Sequence, residues 1–454
     1  MKIDMHNALK LSISVPLALL LALSFGWEKP YWAATTVIIL STHESFGHSL
    51  KTGRERILGA AIGAILAFIL VSLFPQDPTL FVTTFVIVAA ILIYLGGCLH
   101  HGYLFKMAFV VCTLIAFVGN FDNVTTFNMA ITRVQETILG VLVFTFVYSF
   151  LWPQKTEDLI FEQFATLVKQ YRKIIVDYRF GHSKELELNT LKADIERAKS
   201  LLALPLHGSY DLKSNVDKYR IVLASFIESA DRLEQTELFD LDWHSHRCAE
   251  LHQTVNKNSI DQLSRDDLYT LLLDSAWDNE TLYKATKRSL TLFTNYQQRL
   301  VVVAQNVCVI ISAFLLWIYL AIPGGTVFPM LACVMANAMT SMPKPYINNV
   351  ILGFIIFATF VLLQFVLILP SLTEAWQLAI FYFSNLMIMS IGCDVFKQPL
   401  QKIIGPQMLV VLTNGTLHLT PNFDIQTPLI MVIFVFLSLA LAKFYIDLIH
   451  LEQR

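Results

Sequence analysis

Long apolar runs separated by short polar breaks fill both ends of the chain, and one long polar stretch lies between them. Leu11 to Phe25, Ile57 to Phe74, Leu80 to Leu95, Leu104 to Val118 and Thr137 to Trp152 contain no acidic residue. Each is long enough, or nearly so, to cross a ~30 Å hydrocarbon core as a helix. Six apolar segments precede Pro153, at about 8–25, 31–42, 57–74, 80–97, 104–120 and 126–152. Six more follow Arg299, at about 301–321, 327–340, 347–369, 374–392, 404–418 and 427–448. In the stretch between, Leu159, Phe161, Phe164, Leu167 and Tyr171 recur at three- and four-residue steps, as do Leu268, Leu271, Leu272 and Trp277. That spacing predicts amphipathic helices, punctuated by turns at Gly181-His182-Ser183 and Leu204 to Gly208. The pattern predicts an all-α membrane protein divided into a first transmembrane block (1–153), a cytoplasmic helical domain (154–298) and a second transmembrane block (299–454).

The two membrane blocks read as copies. A slide of 294 residues brings Leu58-Gly59 onto Leu352-Gly353, and a slide of 295 brings Gly97-Cys98 onto Gly392-Cys393. In both blocks the first helix ends at a break (Gly26 and Pro30; Pro323, Gly324 and Gly325), and a short second segment and a long third one follow. Six crossings is an even number, so the copies insert in the same orientation, as two parallel repeats with a substrate path expected at their interface.

Composition sharpens this picture. The 454 residues are 55% hydrophobic and 15% charged, against about 25% charged in soluble domains, and the mean hydropathy is +0.57. The net charge of −2 carries no basic cluster interleaved with aromatics, so a nucleic-acid partner is not expected. The six cysteines show neither zinc nor disulfide spacing. His43-Glu44 with His48 misses the i, i+4 geometry of a zinc protease. His244, His246, Cys248 and His252 match no common zinc site. No Walker signature is present, and no metal or cofactor is expected. Lys2 and Lys10 before the first apolar run resemble a signal peptide, but the run is long and has a counterpart deep in the chain, so it is read as a retained helix. The loops on one side carry Lys51, Arg54, Arg56, Lys106, Lys344, Lys397 and Lys402, and those on the other only Lys29 and Arg133. Positive charge favours the cytoplasm, which places both termini and 154–298 there.

An ordered set of motifs then stands out in the first block. Pro30-Tyr31-Trp32-Ala33 opens the second segment, and His48-Ser49-Leu50-Lys51 with Arg56-Ile57-Leu58-Gly59-Ala60-Ala61-Ile62-Gly63 opens the third. Arg133-Val134-Gln135-Glu136-Thr137-Ile138-Leu139-Gly140 opens the sixth, which closes on Trp152-Pro153. This set resembles the fusaric acid resistance, or aromatic acid exporter, family, to which plant malate channels are distantly related. The resemblance is specific over 1–153 and extends to the order of blocks beyond. It implies export of small aromatic or other organic acids across the bacterial inner membrane, driven by the proton gradient. A periplasmic adaptor protein and a homo-oligomeric assembly are implied on the same grounds.

Several residues carry candidate chemistry. Gly59 and Gly63 leave a smooth helix face that admits another backbone, and Arg56 at the cytoplasmic end of that helix can snorkel to headgroups or receive an anion. Arg133 and Glu136 share one helix face. They are intramembrane if their helix begins near Asn123 and interfacial if it begins at Thr137. Either they handle substrate and protons, or they form a pair that fixes helix register. The guanidinium is a forked donor suited to a carboxylate, and the neighbouring carboxylate could exchange a proton. In the second block, Asn337 and Asn414 lie in short, broken segments, where freed backbone groups tend to line cavities; Pro30, Trp32 and Pro329 would shape the breaks. Competing readings remain: a channel-like anion conductor, or a non-transporting scaffold that binds a partner through its helical domain. No nucleophile–base set points to an enzyme.

Overall fold

The computed structural model describes residues 5–42, 46–74, 77–98, 101–118, 123–152, 156–179, 185–202, 216–234, 246, 248–249, 251, 296–320, 322, 324–342, 344–418 and 420–449. Among them the chain is almost wholly helical and has no β-strand. It divides into two compact units, one of residues 1–43, 52–152 and 292–454, the other of residues 44–51 and 153–291.

The first unit holds α1 (Met5–Ser24), α2 (Tyr31–Ser41), most of α3 (Phe46–Leu73), α4 (Pro78–Leu95), α5 (Gly102–Val118) and α6 (Asn123–Phe150). After the second unit it continues with α10 (Tyr296–Tyr319), α11 (Val327–Met339), α12 (Lys344–Leu367), α13 (Ala375–Val395), α14 (Gln401–Leu412) and α15 (Gln426–Leu448). Eight of these helices are long and apolar enough to cross a bilayer. α2, α5, α11 and α14 are not: eleven to thirteen residues in α2, α11 and α14 rise only about 16–20 Å and the 17 of α5 about 26 Å, short of a ~30 Å core. Six full crossings per block therefore becomes four long helices and two short ones. The breaks before α2 and α11 lie where Gly26, and Gly324 with Gly325, adopt positive φ, a conformation glycine reaches without a Cβ clash. Polar side chains inside these helices are satisfied locally, as where Ser14, Thr35, Thr113 and Ser438 each donate to a carbonyl four residues back.

Packing between the halves is crosswise. Within the first block α2 lies against α1 and α6, and within the second α11 lies against α10 and α15. Between blocks, α1 packs on α13 and α4 on α10, while α2 packs on α14 and α5 on α11. Each contact has a counterpart in which the two halves exchange roles. One core cluster joins both: it holds Phe109 and Cys333, and in it Phe85 and Phe117 meet Phe314.

Two basic residues depart from their expected places. Arg56, expected to snorkel to headgroups or to receive an anion, is 3% exposed and so does not reach the headgroups; its Nε donates to Thr36 Oγ1 of α2 at 3.1 Å and its Nη1 to the Tyr103 hydroxyl of α5 at 2.9 Å. Two neutral hydroxyls replace part of the water that the guanidinium loses, which lowers the cost of burying the charge. Lys10, which flanks the first apolar run in sequence, is also buried. Its ammonium donates to the Trp152 carbonyl at 2.7 Å and lies over the Tyr148 ring, tying the start of α1 to the end of α6. Pro153 lies outside the described residues.

The second unit holds α7 (Thr156–Arg179), α8 (Glu185–Leu202) and α9 (Val216–Glu234). α8 packs on both neighbours around Phe164, Leu167, Tyr171, Leu191, Tyr219 and Phe226. The expected apolar stripe thus faces a core of its own from Phe161 to Tyr171. The turns at 181–183 and 204–208 and the stripe at 268–277 lie outside the described residues.

Candidate functional site

The charged pair of α6 sits beside a pocket that two other elements complete, and under the cover of α2. α6 begins at Asn123, so Arg133 and Glu136 follow ten and thirteen residues into a helix of 28. Arg133 is 7% exposed and Glu136 1%: both face protein. Arg133 Nη1 donates to Glu136 Oε2 at 3.0 Å. The same guanidinium carbon lies 3.6 Å from the centroid of the Trp32 ring, so α2 covers one face of the cation. One turn further along α6 is Gly140, where a Cβ would fall 2.6 Å from both the Ala33 carbonyl oxygen and Thr36 Cβ. Only glycine lets α6 approach α2 closely enough to stack Arg133 on Trp32. Thr36 also accepts from Arg56, so one face of α2 meets two buried arginines from two different helices.

Glu136 keeps one carboxylate oxygen, Oε1, buried and without a hydrogen-bond partner. Beside it opens a cavity of about 310 Å³, lined by the α1–α2 linker (including Glu28 and Lys29), the end of α5, and Asn128, Arg133 and Glu136 of α6. Burial, and next the positive charge of Arg133, push the Lys29 ammonium below the usual lysine range. Sequence reasoning placed Trp32 among residues shaping a break and gave Lys29 no role beyond a loop charge. Both approach Arg133 from about a hundred residues away, and a Pro-Tyr-Trp opening beside a lone loop lysine was the only signal.

The four candidate residues do not converge. Asn337, 7% exposed on α11, lines a second cavity of about 190 Å³ with Lys106, Arg299, Thr340 and Ser341. Asn414 opens a 3₁₀ turn after α14 and lines a third cavity, of about 230 Å³, with His418, Asn422 and Asp424; its Oδ1 is buried and unpartnered. Of the family-motif positions, Pro30 precedes the first residue of α2. Gly59 and Gly63 meet α5, where a Cβ at Gly59 would lie 2.6 Å from the Leu104 carbonyl oxygen and one at Gly63 would overlap that of Ala108.

A family model described as the fusaric acid resistance protein family matches residues 5–237, just over half of the chain. The match spans the motifs of α2, α3 and α6 and runs on through α9. The chain belongs to the fusaric acid resistance protein family. Among family relatives, the p-hydroxybenzoic acid efflux pump subunit AaeB of Enterobacter cloacae is 25% identical over 192 residues, covering 40% of this chain and 29% of that protein. AaeB of Musicola paradisiaca is 27% identical over 145 residues, 30% of this chain and 22% of its own. The uncharacterized transporter YdhK of Salmonella typhimurium is 30% identical over 141 residues, 30% of this chain and 20% of its own. The aligned region is thus less than a third of each relative. Among the described residues no cluster of three or more His, Cys, Asp or Glu could hold a metal ion; His43, His244 and His252 lie outside them.

Proposed function

We propose that this fusaric acid resistance family member is a secondary transporter of the bacterial inner membrane that exports small organic acids, of which aromatic carboxylic acids fit best, using the proton gradient. The observation that carries the reading is the buried Arg133–Glu136 pair beside a cavity, with one Glu136 oxygen left unpartnered. A guanidinium offers a planar, permanently charged fork that a carboxylate can take two-pronged. Glu136 acts as a resident carboxylate. When deprotonated it holds Arg133 in the empty site and compensates the cation inside the bundle, and it yields when a substrate carboxylate arrives. A cavity of about 150 Å³ holds a benzene ring, so about 310 Å³ leaves room for a substituted one.

The electrical part of the gradient pulls an anion outward with about 2.3 kcal/mol per charge per 100 mV. Coupling to the chemical part requires Glu136 to carry a proton inward on the return step. The relative AaeB, a subunit of a p-hydroxybenzoic acid efflux pump, supports the substrate class. The excess of lysine and arginine on one side supports cytoplasmic termini and a cytoplasmic 154–298 domain. A periplasmic adaptor and a homo-oligomer complete the proposal on family grounds.

The test is uptake of labelled p-hydroxybenzoate into inverted vesicles under an imposed pH gradient or an imposed potential. Wild-type vesicles are expected to take up the acid under either. The Glu136→Gln variant is expected to keep the response to potential and lose that to pH. Equal uptake by wild type and Arg133→Ala would remove the site from the transport path.

A further inference from the structure

The cavity that Asn337 lines is built on an unusual floor. α4 ends in Gly96-Gly97, and two cationic side chains from different helices lie against these glycines. A Cβ at Gly96 would fall 3.0 Å from Lys106 Cγ, and one at Gly97 would fall 3.0 Å from Arg299 Nε and 3.1 Å from its Cζ. Lys106 comes from α5 of the first block and Arg299 from α10 of the second. The Arg299 guanidinium, 6% exposed, donates to the Gly97 carbonyl. Lys106 donates to Ser341 Oγ at 2.9 Å, and Ser341 in turn donates to the Asn337 carbonyl at 2.8 Å. An ammonium has three donors, so two remain on Lys106 for a ligand.

Among the described residues no acidic side chain lines this cavity, and Ile93 and Val302 form an apolar side. The matching corner of the second block is different: after α13, at the start of α14, Lys402 is paired with Asp394, and a Cβ at Gly392 would meet nothing within 4 Å. The same place in the two halves therefore holds a lysine–aspartate pair in one and two cationic side chains beside a cavity in the other.

We infer that the Lys106–Arg299 cavity is a second anion site, distinct from the Arg133 cavity, which binds the carboxylate of a small organic acid. The inference rests on the reading of such acids as substrates. Two cations with neutral hydrogen-bonding side chains select an anion, and the apolar side takes an organic body rather than a bare inorganic ion. The volume of about 190 Å³ exceeds the ~150 Å³ that holds benzene. Lys106 lies near the start of α5, whereas Leu114, Ile115 and Val118 at its end line the Arg133 cavity. Eight to twelve residues of helix separate the two sites by about 12–18 Å. α11 runs beside α5, fastened at one end by Lys106 to Ser341 and at the other by Thr326 Oγ1 to the Phe117 carbonyl at 2.8 Å. An acid held at the first site thus waits one short helix away from the second.

The experiment uses the full chain in phosphatidylcholine nanodiscs and a reporter thiol at the cavity rim. The labelling rate of the Gln298→Cys variant by a maleimide is followed by mass spectrometry as p-hydroxybenzoate is added. Protection is expected, and its half-effective concentration should rise about tenfold or more on adding Lys106→Gln or Arg299→Gln. Gly97→Ala should act in the same direction, by displacing Arg299. Adding Arg133→Gln should leave protection unchanged. Absence of protection, or protection that survives both cation substitutions, overturns the second site. Protection lost in Arg133→Gln merges the two cavities and overturns it equally. Protection by phosphatidylglycerol but not by the acid gives the cavity to a lipid headgroup, which also overturns the inference. Vesicle flux is measured separately, so a failed second site leaves the transport proposal standing, and a failed flux experiment is visible as such.

Discussion

The Arg133 cavity of the first block and the Asn414 cavity of the second occupy the same place in their halves, at the end of the fifth helix and the start of the sixth. The first is furnished with Lys29, Arg133 and Glu136, the second with Asn414, His418 and Asp424. Their helices pack alike, since α2 holds α6 much as α11 holds α15. The difference teaches that the fold builds the hollow while individual side chains decide what enters it. One half keeps a buried, permanently charged arginine; at the matching stretch, near Pro428 to Met431, the other half is apolar.

The largest effect should come from breaking that asymmetry at its centre. Arg133→Ala is expected to lower gradient-driven p-hydroxybenzoate uptake by about a hundredfold, in keeping with the loss of a charge-assisted pair of about 2–3 kcal/mol. Asn414→Ala should change it by no more than a few-fold, and vesicle flux compares the two directly. Next comes packing. Gly59→Ala drives a methyl toward the Leu104 carbonyl of α5, a backbone atom that cannot move alone, whereas Gly353→Ala meets only the Gln401 side chain, which can swing aside. Gly59→Ala should destabilise the folded protein by about 1–3 kcal/mol, with Gly353→Ala well below it, read as melting temperatures in detergent. A smaller contrast separates the two lysine corners. Lys402→Gln removes half of an ion pair with Asp394 and should leave acid binding unchanged, while Lys106→Gln weakens it in the labelling assay. The smallest effect belongs to the second unit. Lys173, paired with Glu187 at 2.6 Å, has its pKa raised, first by that hydrogen bond. Its stabilisation is fully present below the ordinary lysine pKa and is lost as pH rises through the raised one. The pair is exposed and screened by solvent, so Lys173→Gln should barely move the melting temperature at neutral pH and should flatten whatever decline wild type shows in alkali.

Much of the fold was legible because bilayer-length apolar runs and their breaks are local signals. The predicted second segments, 31–42 and 327–340, fall within a residue of α2 and α11. α3 begins at Phe46 instead of Ile57, because Thr52, Glu55 and Arg56, which read as loop polarity, are buried, with Arg56 and Glu55 meeting Tyr103 and His101. Arg133 and Glu136 could be found because a three-residue spacing puts both on one face of a helix. Trp32, Lys29, Lys106 and Arg299 could not be assigned, since each depends on which distant helix arrives beside it.

The crosswise packing has a consequence for how the protein is made. α1, α2, α4 and α5 leave the ribosome with faces whose partners, α13, α14, α10 and α11, are still untranslated, the nearest of them beyond a polar stretch of more than a hundred residues. The first half must therefore wait in the membrane as an incompletely packed intermediate. Assembly completes only when the second half inserts, so each half serves as the other's folding partner. A break in the chain between the blocks would be tolerated as long as both pieces reach the same membrane, whereas either piece alone would be left for quality-control proteases.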